Sequence, residues 1–259
     1  MSFILKVNEL SKSFGGVRAT DRLDLAVREG EIRGLIGPNG SGKTTTINLL
    51  SGLLRPDRGS IEVRGRRLEG LTPHRRAGMG VARTFQAPAV FKEFSVYQNV
   101  LVGCHTTDPF GLKLRNIIFR PWSVAARDAQ LERRCMESLE LVGLAHRAAA
   151  PAGDLTYGEQ KLLDLAKVLV FRPVLLLLDE PAGGLDPALV KHLREIVVRL
   201  RSTGTTILFS EHNVSMVLGI CDEITVLNFG QKIAEGAPDA IRRDPKVIAC
   251  YLGTKAAAE

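Results

Sequence analysis

Hydrophobic residues recur along the chain with two different spacings, and the change from one to the other marks its parts. Period-two alternation runs from Ile4 to Leu10 and returns at Leu23, Leu25 and Val27, which predicts two half-buried strands. Glu31 to Ile36 and Ile61 to Val63 read as further strands, the second set between glycine turns at Arg55–Ser60 and Gly65. Thr45 to Leu50 reads as a helix. From Ala87 to about Gly153 strand patterns stop, and helical spacing appears over Val96–Val102 and Ala125–Val142, separated by a polar, Gly/Pro-containing stretch from Thr106 to Pro121. This predicts a helical insertion in an α/β domain. A helix over Glu159–Phe171 repeats Leu162, Leu165, Ala166 and Leu169, with Thr156 as its N-cap and Glu159 three residues later completing a capping box.

Val174 to Leu178 is a continuous apolar run, as expected of a strand in the middle of a parallel sheet covered on both faces. Gly183 to Pro187 turns into an amphipathic helix with Leu189, Leu193, Ile196, Val197 and Leu200 on one face. Thr205–Ser210, Glu223–Asn228 and Gln231–Glu235 follow as strands, then two short helices and a frayed end at Lys255–Glu259.

Composition narrows the class. With 259 residues, 45% apolar and 24% charged, the chain can bury a real core. No window offers the ~18 uninterrupted apolar residues of a membrane span; the nearest, Val168 to Leu178, is broken by Arg172-Pro173. Met1 to Leu5 carries no basic leader, so a cytosolic chain is expected. Cys104, Cys135, Cys221 and Cys250 lie far apart with no paired spacing, which reads as reduced, partly buried residues rather than a zinc site. The net charge of +7 comes in short groups (Arg64, Arg66, Arg67; Arg75, Arg76; Arg133, Arg134; Arg242, Arg243) without interleaved aromatics, so nucleic acid is not the expected partner. Leu112, Leu114, Ile117, Ile118, Phe119 and Trp122 form an apolar cluster that either packs under a long loop or docks a partner.

The chemistry starts at Gly37-Pro38-Asn39-Gly40-Ser41-Gly42-Lys43-Thr44, a phosphate loop of the form G-x-x-x-x-G-K-[ST] between a predicted strand and a predicted helix. Its glycines let backbone N–H groups approach an anion, Lys43 supplies charge for the β- and γ-phosphates, and the Thr44 hydroxyl can ligate Mg²⁺. The ligand expected is a nucleoside triphosphate. Asp179 and Glu180 end the apolar run where open α/β sheets bind ligands. Asp179 would hold Mg²⁺, and Glu180, one residue on and pointing the other way, would polarise an attacking water. His212, again at a strand's C-terminal end, is placed for a γ-phosphate. Phe14, in Ser13-Phe14-Gly15-Gly16, is either a hairpin-turn aromatic or a flat face for adenine; the residues leave both open.

This set resembles the ATP-binding subunit of an ABC transporter over nearly the whole chain. The resemblance implies a P-loop NTPase fold of the α/β ABC-ATPase type, a mixed central sheet with an antiparallel β subdomain and a helical subdomain. Residues 1–86 and 154–259 would form the core with the β subdomain. Residues 87–153 would form the helical subdomain, continuing through the signature helix to about 171. Gly37 to Thr44 match the Walker A motif, so Gly37, Pro38, Asn39, Gly40, Ser41, Gly42, Lys43, Thr44 and Thr45 would contact ATP. Val174 to Asp179 match Walker B, and Glu180 the catalytic glutamate. His212 matches the switch histidine, Asp186 the D-loop aspartate and Phe14 the adenine-stacking aromatic. Gln86 matches the Q-loop glutamine, which meets Mg²⁺ and the membrane subunit. The implied metal ligands are Thr44, Gln86 and Asp179, and the implied catalytic set is Glu180, His212, Gln86 and Lys43.

Leu155-Thr156-Tyr157-Gly158-Glu159 is similar to the signature Leu-Ser-Gly-Gly-Gln but departs from it. Thr156 keeps the hydroxyl that would meet a γ-phosphate across a dimer, with Gly158 and Glu159 beside it, whereas Tyr157 replaces a glycine and Glu159 a glutamine. The segment Gly78–Gln86, the insertion from Gly103 to Trp122, the tyrosine in the signature and the ending Tyr251-Leu252-Gly253 resemble the larger ATP-binding subunit of branched-chain amino-acid importers. That resemblance implies two integral-membrane permease subunits, a second ATP-binding subunit in a hetero- or homodimer, an indirectly engaged periplasmic solute-binding protein, and peripheral attachment to the cytoplasmic face of the bacterial inner membrane. Urea, amide or lipopolysaccharide transport, or a soluble ABC ATPase, are the alternatives.

Overall fold

The computed structural model describes residues 2–104, 121–212 and 214–256. The apolar stretch Leu112–Phe119 lies outside them. The described residues fall into two compact units.

The first unit takes residues up to Arg83, then Val174–Ala182 and Val197 onward. Its antiparallel sheet has the order β2-β1-β4-β5, with β1 at Phe3–Phe14, β2 at Val17–Arg28, β4 at Arg58–Val63 and β5 at Arg66–Arg67. β1 and β2 are longer than their alternation predicts. Breaks in the register after Val7 and Leu10, with Glu9 and Arg22 at positive φ (47° and 49°), shift the inward-facing set and hide the period. The second sheet runs β10-β9-β3-β8-β7-β6, built from β3 (Ile32–Ile36), β6 (Val81–Arg83), β7 (Leu175–Asp179), β8 (Thr206–Glu211), β9 (Glu223–Asn228) and β10 (Gln231–Gly236). All its pairings are parallel except β9–β10. Every residue of β3, β7 and β8 is buried, which is why β7 reads as an unbroken apolar run.

Helix α1 (Lys43–Ser51) leaves the C-terminal end of the β3 segment and contributes Ile47, Leu49 and Leu50 to one buried cluster. That cluster joins Leu5, Leu23 and Ile61 of the first sheet to Leu35, Leu177 and Leu208 of the second. Short α2 (Pro73–Gly78) precedes β6.

The second unit comprises Thr84–Pro173 and Gly183–Ile196. It contains α3 (Val96–Cys104), α4 (Pro121–Leu141), α5 (Tyr157–Leu169) and the first part of α6 (Pro187–Ser202). A Cβ on Gly103 would lie 2.6 Å from the Lys167 carbonyl, so glycine lets α3 and α5 cross closely. The predicted capping box opens α5: Glu159 N–H donates to Thr156 Oγ1 (3.3 Å) and Thr156 N–H to Glu159 Oε2 (2.8 Å). In the first unit the chain closes with α7 (Val214–Leu218), α8 (Pro238–Arg243) and α9 (Pro245–Ala256). α9 has 12 residues and carries Lys255 and Ala256, so the predicted frayed end is helical to that point.

Candidate functional site

The phosphate loop joins β3 to α1 through backbone that only glycine tolerates. Gly37 has φ 152°, and a Cβ there would sit 2.1 Å from the Leu227 carbonyl of β9. Gly42 has φ 102°, with the Ala19 carbonyl 2.2 Å from the place of its Cβ. The loop is braced from behind, since Gly230 N–H, in the β9–β10 turn, donates to the Ser41 carbonyl at 3.0 Å. On α9, burial pushes the phenol of Tyr251 up to about 12, against a lowering influence of the Gly37 backbone.

The loop fits a polyphosphate. Ser41 Oγ is buried and has no hydrogen-bond partner among the described residues, and α1 presents its N-terminal dipole end to the same loop. Lys43 folds over it, its Nζ donating to the Gly37 carbonyl (2.8 Å) and the Pro38 carbonyl (3.0 Å). Burial lowers the Lys43 pKa, opposed by the carboxylates of Glu180, Asp179 and Glu211. An incoming anion would relieve that desolvation directly.

Asp179, the last residue of β7, is 1% exposed. Its Oδ1 accepts from Ser210 Oγ (2.7 Å) and Thr44 Oγ1 (3.3 Å), and its Oδ2 pairs with Arg83 Nη2 at 3.0 Å. A threonine hydroxyl beside a carboxylate is the hard-oxygen donor set that Mg²⁺ takes alongside substrate phosphates. At Glu180 strand alternation stops, because the residue adopts φ 47°. Its N–H donates to the Ser210 carbonyl (3.1 Å), and Ser210 Oγ lies 3.2 Å away. Ser210 thus fixes the backbone at the point where the chain leaves β7. Glu211 is fully buried and accepts from Ala182 N–H at 2.8 Å. His212 follows it, its side chain exposed and Nδ1 3.9 Å from Glu211 Oε2. Phe14, at the tip of the β1–β2 hairpin, is 48% exposed, with Lys12 Nζ 5.7 Å from its ring centroid. It is both a turn aromatic and an open face.

The first unit thus gathers Phe14, Gly37 to Thr45, Asp179, Glu180 and His212. Gln86, Thr156, Gly158, Glu159 and Asp186 belong to the second unit. There Asp186 Oδ1 accepts from the N–H groups of Ala188 and Leu189, both at 2.9 Å, and so caps α6. A Cβ on Gly158 would lie 2.3 Å from Leu189 Cδ1, so a larger residue there would need that leucine to shift. Tyr157 is 48% exposed with Lys161 over its ring (5.7 Å). Glu159 is pushed up by burial, but hydrogen bonds from Thr156 and the charge of Arg147 outweigh this and hold it below the usual glutamate range. Sequence reasoning missed Ser210 and Arg83 as partners of Asp179. Arg83 stood in a noted motif without a role, and Ser210 carried no signal beyond ending a strand.

A family model described as ABC transporter matches residues 20–183, the span from β2 through Asp179 and Glu180. The chain is an ATP-binding cassette of the ABC transporter family. ATP is the ligand of the cassette and ATP hydrolysis its reaction. A second model, described as Branched-chain amino acid ATP-binding cassette transporter, matches residues 231–257, which take in β10, α8 and Tyr251. The cassette is 44% identical over 253 residues to the high-affinity branched-chain amino acid transport ATP-binding protein LivG of Salmonella typhimurium, covering 96% of this chain and 98% of that one. It is 39% identical over 258 residues to BraF of Pseudomonas aeruginosa, of the same description, with the same coverage. Among solved structures, the ADP conformation of an ATP-binding cassette of an ABC transporter superposes with a TM-score of 0.84 at 31% identity, covering 98% of this chain and all of that one. The solved cbiO1 of Clostridium perfringens, 27% identical with a TM-score of 0.77 and covering 98% of this chain and 96% of that one, is described as part of the ABC transporter complex cbiONQ. Among the described residues of the cassette, no helix is long and apolar enough to cross a membrane.

Proposed function

We propose that this cassette powers the uptake of branched-chain amino acids across the bacterial inner membrane. It would act from the cytoplasmic face as one of two ATP-binding subunits on a pair of permease subunits, fed by a periplasmic solute-binding protein. The observation that carries this reading is the likeness to LivG over 96% of the chain, continued through the C-terminal segment 231–257.

In the proposed mechanism, the loop N–H groups, Ser41 and Lys43 bind the phosphates of ATP, and Phe14 stacks on adenine. Lys43 leaves the Gly37 and Pro38 carbonyls for phosphate oxygens. Thr44 and Asp179 would hold Mg²⁺, which would supply charge neutralisation of the β- and γ-phosphates. Glu180 takes the proton of the attacking water, and His212 hydrogen-bonds the γ-phosphate. The hydroxyl of Thr156, with Gly158 and Glu159, meets the nucleotide of the second ATP-binding subunit, beside Asp186. Catalysis is then positioning and electrostatics, completed only when two subunits close. The second unit exposes Phe85, Phe91 and Phe94, each more than two-fifths accessible, within eight residues of Gln86 in sequence. Apolar exposure of that kind supports permease docking there.

The test is a pull-down of the tagged chain from detergent-solubilised membranes, with co-purifying chains identified. Two permease subunits and a second, shorter ATP-binding subunit are expected. Recovery of soluble partners alone would remove transport and leave an ATPase.

A further inference from the structure

Arg83 ends β6, closes the first stretch of the first unit, and lies three residues before Gln86. Its side chain is one-tenth exposed. Nη2 lies 3.0 Å from Asp179 Oδ2, while Nη1 donates to Asn48 Oδ1 and, at 3.1 Å, to Ser51 Oγ, both on α1. Burial lowers the Arg83 pKa, and the charge of Asp179 opposes that shift. The two oxygens of the Asp179 carboxylate are therefore sorted. Oδ2 is committed to a guanidinium, and Oδ1 faces the hydroxyls of Thr44 and Ser210. A planar guanidinium can bond to β7 and α1 at once with fixed geometry, which the single ammonium of a lysine does not reproduce.

We infer that Arg83 is a positioning residue for Mg²⁺–ATP: by holding Asp179 Oδ2 it keeps Oδ1 turned to Thr44, ready for the metal. The inference rests on the reading of Asp179 as a metal ligand. It also runs against simple electrostatics. A nearby positive charge repels a cation, so a purely electrostatic account has its removal tighten Mg²⁺ binding. Orientation has its removal weaken Mg²⁺ binding. The two differ in sign.

The experiment is titration of the full chain with a fluorescent ATP analogue, in EDTA and at increasing Mg²⁺. For Arg83→Met, nucleotide affinity in EDTA is expected to stay within about two-fold of the unaltered chain. The Mg²⁺ concentration for half-maximal effect should rise about ten-fold, the loss typical of removing an outer partner of a metal ligand. Arg83→Lys should recover part of it. An unchanged or lowered Mg²⁺ requirement in Arg83→Met overturns the inference. If that variant does not fold, the pair Asn48→Ala and Ser51→Ala frees the guanidinium from α1 but leaves its charge; an Mg²⁺ requirement raised a few-fold supports the inference, and an unchanged one overturns it. Asp179→Asn separates the layers. If it keeps the original Mg²⁺ requirement, the metal reading itself falls. If it loses that requirement while Arg83→Met keeps it, only the role of Arg83 falls.

Discussion

Glu180 is held at φ 47°, a conformation that costs a non-glycine residue roughly 1–2 kcal/mol and persists where neighbours over-determine it. The neighbour here is Ser210, on the adjacent strand, which meets the Glu180 N–H with its carbonyl and its hydroxyl oxygen. Glu180→Gln keeps the size and the backbone bonds and removes the proposed base. Turnover should fall at least ~100-fold with ATP binding retained, and gel filtration with ATP should show a persistent dimer. Normal hydrolysis by this variant would remove Glu180 as the base. The phosphate loop and both acids were legible because each carries its chemistry in its own residue type and spacing. Ser210 was not, since a serine at a strand end looks the same whether it meets water or orders two carboxylate residues.

Among the elements, α5 shows a local rule carried intact from sequence to structure. The Thr-x-x-Glu pattern closes a reciprocal cap, and Arg147 adds a charged contact to Glu159 at 3.3 Å. Thr156→Ala should destabilise the second unit by about 1 kcal/mol. The Glu159 carboxyl sits below its ordinary value of 4.5, so its contribution is complete above that pH and is lost as pH falls through the lowered value. The protection of the Thr156 amide, its exchange rate relative to the intrinsic rate at each pH, should fall on acidification as the carboxylate that receives its N–H is protonated, and Glu159→Gln should abolish that change. Protection indifferent to pH would sever the cap from the titration. β7 was equally legible, because a strand buried on both faces leaves an unbroken apolar run. The full lengths of β1 and β2 were not, because bulges move the inward positions out of phase.

Across the first unit, the two sheets share a buried charge as well as a hydrophobic core. Arg33, the second residue of β3, is 2% exposed and pairs with Glu31, with Glu223 at 2.7 Å and with Glu235, while its Nη2 also donates to the Ala26 carbonyl of β2 at 2.9 Å. Nothing in the sequence separated this arginine from one lying along a solvated edge; only the pairing of β3 with β9 brings Glu223 to it. Arg33→Met leaves three carboxylates without their common cation and should cost about 3–5 kcal/mol at pH 7. Burial pushes Glu235 up, but the Lys232 hydrogen bond and the charges of Lys232 and Arg33 outweigh it and hold the carboxyl below 4.5. The stabilisation from Glu235 is therefore present above pH ~4.5 and fades below it, so the deficit of the variant should shrink on acidification. Urea unfolding at pH 7 and at about pH 3 measures this, and equal deficits at both would refute the account.

The central position of β3 also sets a timetable. Both its neighbours, β8 and β9, lie far downstream, starting at Thr206 and Glu223. During synthesis at ~5–20 residues per second, the strand that carries the phosphate loop waits on the order of 10–40 s for either partner. Through that interval an apolar, β-rich segment stands without its sheet, and the nascent chain depends on chaperone cover more than its finished stability would indicate.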